Sequence, residues 1–216
     1  GQVELPDGFL KTAYDLIRKN GGICISDEVQ VGCGRLGESF WGFELHDVVP
    51  DIITIGKPLG NGHPIGAVVC TSEIAESFAN GMEFFNTFGG NPVSCSIASQ
   101  VLKVVKNENL QQNAKTIGDY FKKELKKLSG KHDIIGDVRG QGLFLGIEFI
   151  DHKMNPLFKE AKYIVKRLKN FGILASLDGP SNNVIKIKPP LIFNKDNCDT
   201  FIFYLHKILE EDFLNK

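Results

Sequence analysis

The 216-residue chain has no apolar run approaching the roughly 20 residues of a membrane-spanning helix, so no membrane partner is expected. It has no excess of charge of one sign either. Its 25 basic and 26 acidic residues leave a net charge of −1, which argues against a nucleic-acid binder with a basic surface and against a polybasic membrane-surface protein. Its five cysteines form no C-x-x-C pair and no His/Cys cluster at zinc spacing, so no metal is expected. Cys24, Cys33, Cys70 and Cys95 lie in or beside apolar runs and read as small buried hydrophobes, which fits a reducing compartment. The cytoplasm is the expected home. The mitochondrion stays open, because the chain starts at Gly1 rather than Met and shows no targeting segment of its own. Internal repeats and low-complexity tracts are also absent. A chain of this length can bury about 70% of its unfolded surface, enough for one large domain or two modest ones.

The elements can be placed from periodicity. Pro6-Asp7-Gly8 opens a helix with Leu10, Ala13, Tyr14 and Ile17 on one face, and Asn20-Gly21-Gly22 stops it. Ile23 to Ile25, Ile52 to Ile55 and Ala67 to Cys70 are short runs that are apolar throughout. They suit strands buried on both faces of a helix-covered parallel or mixed sheet. Asn91-Pro92 starts a long helical stretch, in two pieces, to about Leu128. Beyond it, Leu143 to Ile150, Ile173 to Leu177 and Val184 to Lys188 read as strands, with a helix from about Phe158 to Phe171. On the third strand Lys186 and Lys188 share one face and Ile185 and Ile187 the other. A last helix begins near Asn194. The domain boundary is expected near residue 112, giving an α/β protein with domains 1–112 and 113–216.

One motif misleads. Gly32-Cys33-Gly34-Arg35-Leu36-Gly37 fits G-x-G-x-x-G after a strand, but a dinucleotide fingerprint requires the glycines to open a helix. Here the next segment is short, contains Gly42 and meets Pro50, so a glycine-rich turn is the expectation. The stronger signal is Asp27 with Lys57, each at the end of an apolar strand, where open α/β sheets bind ligands. Three readings remain: a structural ion pair, a phosphate-binding lysine, or a pyridoxal phosphate site whose lysine forms a Schiff base while an acid faces the pyridinium nitrogen.

The segments Asp27-Glu28-Val29-Gln30, Phe40-Trp41-Gly42-Phe43, Pro50 to Pro58, Gly60-Asn61-Gly62-His63-Pro64 and Asn86 to Pro92 occur in order. Gly136 to Gly140, Gly142-Leu143-Phe144, Asp178-Gly179-Pro180 and Lys188-Pro189-Pro190 follow. This series closely resembles the class III aminotransferases of pyridoxal phosphate fold type I. Within them it is most similar to the subgroup of alanine–glyoxylate aminotransferase 2-like proteins and the ethanolamine-phosphate and phosphohydroxylysine phospho-lyases. The resemblance implies the later part of the large domain plus a small C-terminal α+β domain.

By that resemblance Lys57 is the lysine that carries pyridoxal 5'-phosphate and then moves the substrate proton. Asp27 is the acid at the ring nitrogen, Val29 the apolar residue on one ring face, and Gln30 the partner of the ring hydroxyl. Thr87 would reach the cofactor phosphate of the other subunit of a homodimer. Glu28 reads as structural, His63 as a turn residue, and Arg35 and Arg139 as either anion binders or braces. Family members are about twice this length, and the turn that cradles the cofactor phosphate lies in their N-terminal half. Many of them carry arginine where Lys186 stands, and lysine cannot grip a carboxylate bidentately. Lys186, Lys188 and Arg139 are therefore the substrate-side candidates. The implied activity is amino transfer between an amine or amino acid and a keto acid. The alternatives are a phospho-lyase acting on a phosphorylated amine, or a non-catalytic fragment.

Overall fold

The computed structural model describes residues 2–214. They form two compact units, Leu5–Gln111 and a second comprising the residues from Gln112 onward with the stretch before Leu5.

The first unit carries helix α1 (Phe9–Lys19), strands β1 (Ile25–Asp27), β2 (Ile52–Ile55) and β3 (Ala67–Cys70), helix α2 (Ser72–Phe78) and helix α3 (Pro92–Asn107). The sheet order is β1-β2-β3. β1 runs parallel to β2 with Asp27 opposite Thr54, and β3 is antiparallel with Ala67 opposite Ile55. Asn91 caps α3 by accepting from the N–H of Ser94 (2.9 Å), and Pro92 takes the first helical position, as the Asn-Pro pair predicts. Ile55, Leu59, Cys33 and Ala98 form one small core, and Tyr14, Cys24 and Val48 another.

Burial here departs from expectation. Ile55 is the one buried residue in the three strands; Ile25, Val68 and Val69 are exposed. Two of the three strands, β1 and β3, are edges of this sheet. Cys70 and Cys95 are likewise exposed, while Cys24, Cys33 and Cys198 are buried. An apolar neighbourhood in sequence does not bury a cysteine at the end of an edge strand, as Cys70 is, or on the exposed side of a helix, as Cys95 is on α3. Residues 29–37 form turns, and no helix opens at the glycines.

The second unit contains helices α4 (Leu110–Ser129, beginning two residues before Gln112), α5 (Phe158–Asn170) and α6 (Lys195–Leu209). Strands β4 (Ile135–Gln141), β5 (Phe144–Phe149), β6 (Ser176–Asp178) and β7 (Val184–Ile187) form an antiparallel sheet in the order β4-β5-β7-β6. Its core is one apolar cluster in which Phe121, Ile147, Phe149, Ile164, Leu168, Ile185, Leu205 and Ile208 are fully buried. Gly118 lets α4 approach the β4–β5 turn, since a Cβ there would lie 2.2 Å from the Gly142 carbonyl oxygen. The strand expected at 173–177 is realised later and shorter as β6, and β4 was not anticipated as a strand. Among the described residues no helix is long and apolar enough to cross a membrane.

Candidate active site

β1 and β2 are parallel, so their C-terminal ends open on one edge of the sheet. Asp27 is the last residue of β1, and Lys57 stands two residues beyond β2, at the start of the 3-10 turn Lys57–Leu59. That turn is fixed by the Leu59 N–H donating to the Gly56 carbonyl (2.7 Å) and by Leu59 entering the core with Ile55 and Ala98. The lysine thus rises from a rigid base while its own side chain is exposed. Of the neighbouring loop 60–64, Asn61, Gly62 and Pro64 are exposed as well.

Asp27 is also exposed, and its Oδ1 accepts the N–H of Val29 (3.0 Å), which turns the chain sharply after β1. Val29 packs over the backbone leading to Lys57: its Cγ2 lies 3.3 Å from where a Cβ on Gly56 would stand. Gln30 is exposed on the same turn. Between Asp27 and Val29 the side chain of Glu28 points inward and is fully buried. Its carboxylate accepts from Ser26 Oγ (2.9 Å), the Gly42 N–H (2.7 Å) and the Phe43 N–H (3.1 Å). Its N–H donates to the Thr54 carbonyl (2.9 Å). A buried carboxylate with three donors is satisfied, and its work is to fix the β1 end.

Arg35 is half-buried, and burial pushes its guanidinium below the usual range. Burial likewise drives the Cys33 thiol up to about 11, so this thiol is not poised as a nucleophile.

Thr87 lies in an exposed segment, residues 79–90. Asn86 Oδ1 shapes its turn by accepting the N–H groups of Phe88 (3.1 Å) and Gly89 (2.9 Å). Asn91 Nδ2 donates to the Phe88 carbonyl (2.8 Å) and to Ser94 Oγ (3.0 Å). Ser94 Oγ in turn shares a hydrogen bond with His63 Nε2 (2.8 Å). The sequence had offered His63 as a turn residue and had not singled out Ser94. The available signal was a hydroxyl in the first turn after an Asn-Pro cap.

In the second unit Lys186 and Lys188 line one cavity of about 440 Å³ whose wall includes Phe121, Phe193 and Phe201. Those aromatics look like core from periodicity alone. Lys186 Nζ lies 3.5 Å from Asp178 Oδ2. The Gly179 N–H, and then Lys186, hold the Asp178 carboxyl below its usual range against the effect of burial. Lys188 Nζ sits 4.4 Å from the Phe144 ring centroid, a cation–π contact. Arg139 donates to Asp137 Oδ2 (2.8 Å), to Glu148 and to the Gln2 carbonyl (3.0 Å). Burial disfavours its charge, but the hydrogen bonds to the two carboxylates outweigh that and raise its pKa. Of the two readings of Arg139, this geometry is that of a brace. Among the described residues no three His, Cys, Asp or Glu side chains are grouped to hold a metal ion.

A lysine and a carboxylate at the open ends of parallel strands, on an α/β unit followed by an antiparallel α+β unit, are the architecture of the fold type I pyridoxal phosphate enzymes. The family description "Aminotransferase class-III" matches residues 1–209, and the chain belongs to that family. It is 49% identical over 213 residues to an alanine–glyoxylate aminotransferase 2-like protein of Drosophila melanogaster, covering 97% of this chain and 43% of that one. It is 46% identical over 202 residues to the mitochondrial alanine–glyoxylate aminotransferase 2 of Homo sapiens, covering 92% and 39%. A phospholyase from Arthrobacter in complex with phosphoethanolamine superposes with a TM-score of 0.93 at 41% identity, over 96% of this chain and 50% of that one. The chain thus spans less than half the length of these two curated relatives.

Proposed function

We propose that the unit Leu5–Gln111 is the later, lysine-bearing part of a pyridoxal 5'-phosphate-binding large domain. The unit from Gln112 onward would be the small C-terminal domain, with the division near residue 112. The whole protein would be an aminotransferase moving an amino group between an amine or amino acid and a keto acid. The observation that carries this reading is the shared edge: Asp27 and Lys57 follow adjacent parallel strands, with Val29 packed against Gly56 between them.

The residues suit the cofactor. An exposed amine on a rigid turn can reach its aldehyde, an exposed carboxylate can face its ring nitrogen, and Val29 offers an apolar wall. Gln30 lies on the same turn for the ring hydroxyl, and Thr87 would serve the cofactor phosphate of a partner in a homodimer. When bound, the cofactor supplies an electron sink for the pair left when a substrate C–H bond breaks. Asp27 would keep the ring nitrogen charged, and the Lys57 amine would carry the proton between substrate atoms. Two observations bear on compartment: the human relative is named mitochondrial, and a reducing interior suits the five free cysteines of this chain. We place the protein in the cytoplasm or the mitochondrion.

A second reading has its own support. Lys186 and Lys188 bring two point charges to the rim of one cavity, a pattern suited to a compact anion such as phosphate. One similar structure is a phospholyase with phosphoethanolamine. Loss of a substrate proton would then let the neighbouring carbon expel phosphate, with no keto acid needed. The two readings separate in one assay on the full-length protein. Amino transfer that stops without a keto acid, and no phosphate released from ethanolamine phosphate, supports the aminotransferase. Phosphate release without any keto acid supports the phospho-lyase. For the 216-residue chain by itself, no spectral change on adding cofactor supports a non-catalytic fragment.

A further inference from the structure

Two segments assigned to the cofactor site are joined by a continuous hydrogen-bond chain that the cofactor roles alone do not require. Leu59, two residues past Lys57, is locked into the core beside Ala98 of α3. The next residues make a tight turn: the His63 N–H donates to the Gly60 carbonyl (3.0 Å). A Cβ on Gly60 would sit 2.0 Å from the His63 carbonyl oxygen, so only glycine allows the turn to close and aim the imidazole. His63 Nε2 then meets Ser94 Oγ at 2.8 Å in the first turn of α3. Ser94 is held by Asn91, and Asn91 holds the carbonyl of Phe88, the neighbour of Thr87.

We infer that His63 is a positioning residue that ties the Lys57 loop to the Thr87 turn. The inference rests on the cofactor reading of Lys57 and Thr87. Since Thr87 would serve the partner's cofactor phosphate, the imidazole of one protomer links its own lysine to the phosphate grip on the other site. Thr87 lies in a segment with little burial of its own, so its orientation depends on such polar ties rather than on packing. The imidazole supplies that tie through its hydrogen bond to Ser94 Oγ, while the backbone N–H of the same residue closes the turn on Gly60. Ser94 is the relay, and Asn91 does double duty as helix cap and as anchor for the turn.

The test compares two probes on the full-length holoenzyme and its apo form: pyridoxal 5'-phosphate, and pyridoxal, which lacks the phosphate. A residue that acts through Thr87 affects only the first. His63→Ala should weaken pyridoxal 5'-phosphate binding about five- to tenfold, the scale of one hydrogen bond, while pyridoxal binding stays within about twofold. His63→Gln, which can still bond Ser94, should recover most of the loss. In a double-mutant cycle with Ser94→Ala, the double variant should lose no more than the worse single one. Equal losses for both probes would make His63 a purely structural residue and overturn the inference, as would no loss for either. Thr87→Ala supplies the control. If it lowers the preference for the phosphorylated probe and His63→Ala does not, the inference fails alone. If Thr87→Ala leaves that preference intact, the reading of Thr87 and the inference fail together.

Discussion

Neighbouring residues at the end of β1 divide between function and support according to the face they occupy. Asp27 and Val29 point to the open edge while Glu28, between them, is wholly buried and satisfied by three donors. The pair Asp-Glu in sequence does not say which carboxylate faces inward; alternation along the strand does. The exposed one is therefore expected to be chemically important yet dispensable for folding. Asp27→Asn should lower turnover of the full-length enzyme about 10²-fold or more, by analogy with loss of a preorganised electrostatic partner. It should leave the melting temperature almost unchanged. Near-normal turnover in that variant would remove Asp27 from the cofactor site, and a large fall in melting temperature would make it a structural residue instead.

The elements were legible to different degrees, for physical reasons. Helices α3, α4, α5 and α6 carry long apolar stripes, and α3 and α6 add side-chain caps at Asn91 and Asn194, so their placement follows from periodicity. Strand β4 does not: Gly136, Asp137 and Gly140 all disfavour strands, and only its pairing with β5 holds it extended. Helix α2, seven residues long without a side-chain cap, likewise left no pattern. The buried-strand expectation failed in the first unit because an apolar run reports what could be buried, not how many layers are present to bury it.

One contact between elements carries a pH signature. His132, just after α4, shares a hydrogen bond with His206 of α6 (2.9 Å), and His206 Nε2 lies 3.5 Å from Glu210. Burial, then the proximity of His206, lowers the His132 pKa from its usual 6.5. A histidine whose folded pKa is depressed binds its proton more readily when unfolded. Its contribution to stability is therefore complete above pH 6.5 and is lost as pH falls below that value toward the folded pKa. Carboxylates held low by their partners, among them Asp178 and Glu211, lose their contributions only at more acidic pH. Melting temperature should thus fall between about pH 7 and pH 5, and His132→Asn should flatten that part of the profile. An unchanged slope in the variant would contradict the assignment.

At the scale of the whole molecule the two units are unequal. The second has an apolar core built around Phe121, Phe149 and Ile164. The first exposes Phe78, Met82, Phe84, Phe85 and Phe88, each 64% exposed or more. Clusters of this kind on soluble proteins mark surfaces that other protein covers, and the exposed Val68 and Val69 of edge strand β3 add to it. The 216-residue chain by itself should therefore self-associate. It should also bind cofactor weakly, because the family resemblance implies that the phosphate-cradling turn belongs to a part of the longer relatives outside the span matched here. Sedimentation and cofactor titration of the chain check both points together. A clean monomer that binds pyridoxal 5'-phosphate below about micromolar would run against this account, since a full set of anchors would then have to lie within these residues.

The central claim is that Lys57 carries the cofactor. Its place at the edge shared with Asp27 distinguishes it from the other lysines, including Lys186 and Lys188 in the second unit. Borohydride reduction of the cofactor-loaded, full-length protein fixes the cofactor to whichever amine holds it, and peptide mapping then reads the position. The account predicts a single labelled peptide containing Lys57, absent from the Lys57→Ala variant. A label on any other lysine, or equal labelling in that variant, would contradict it.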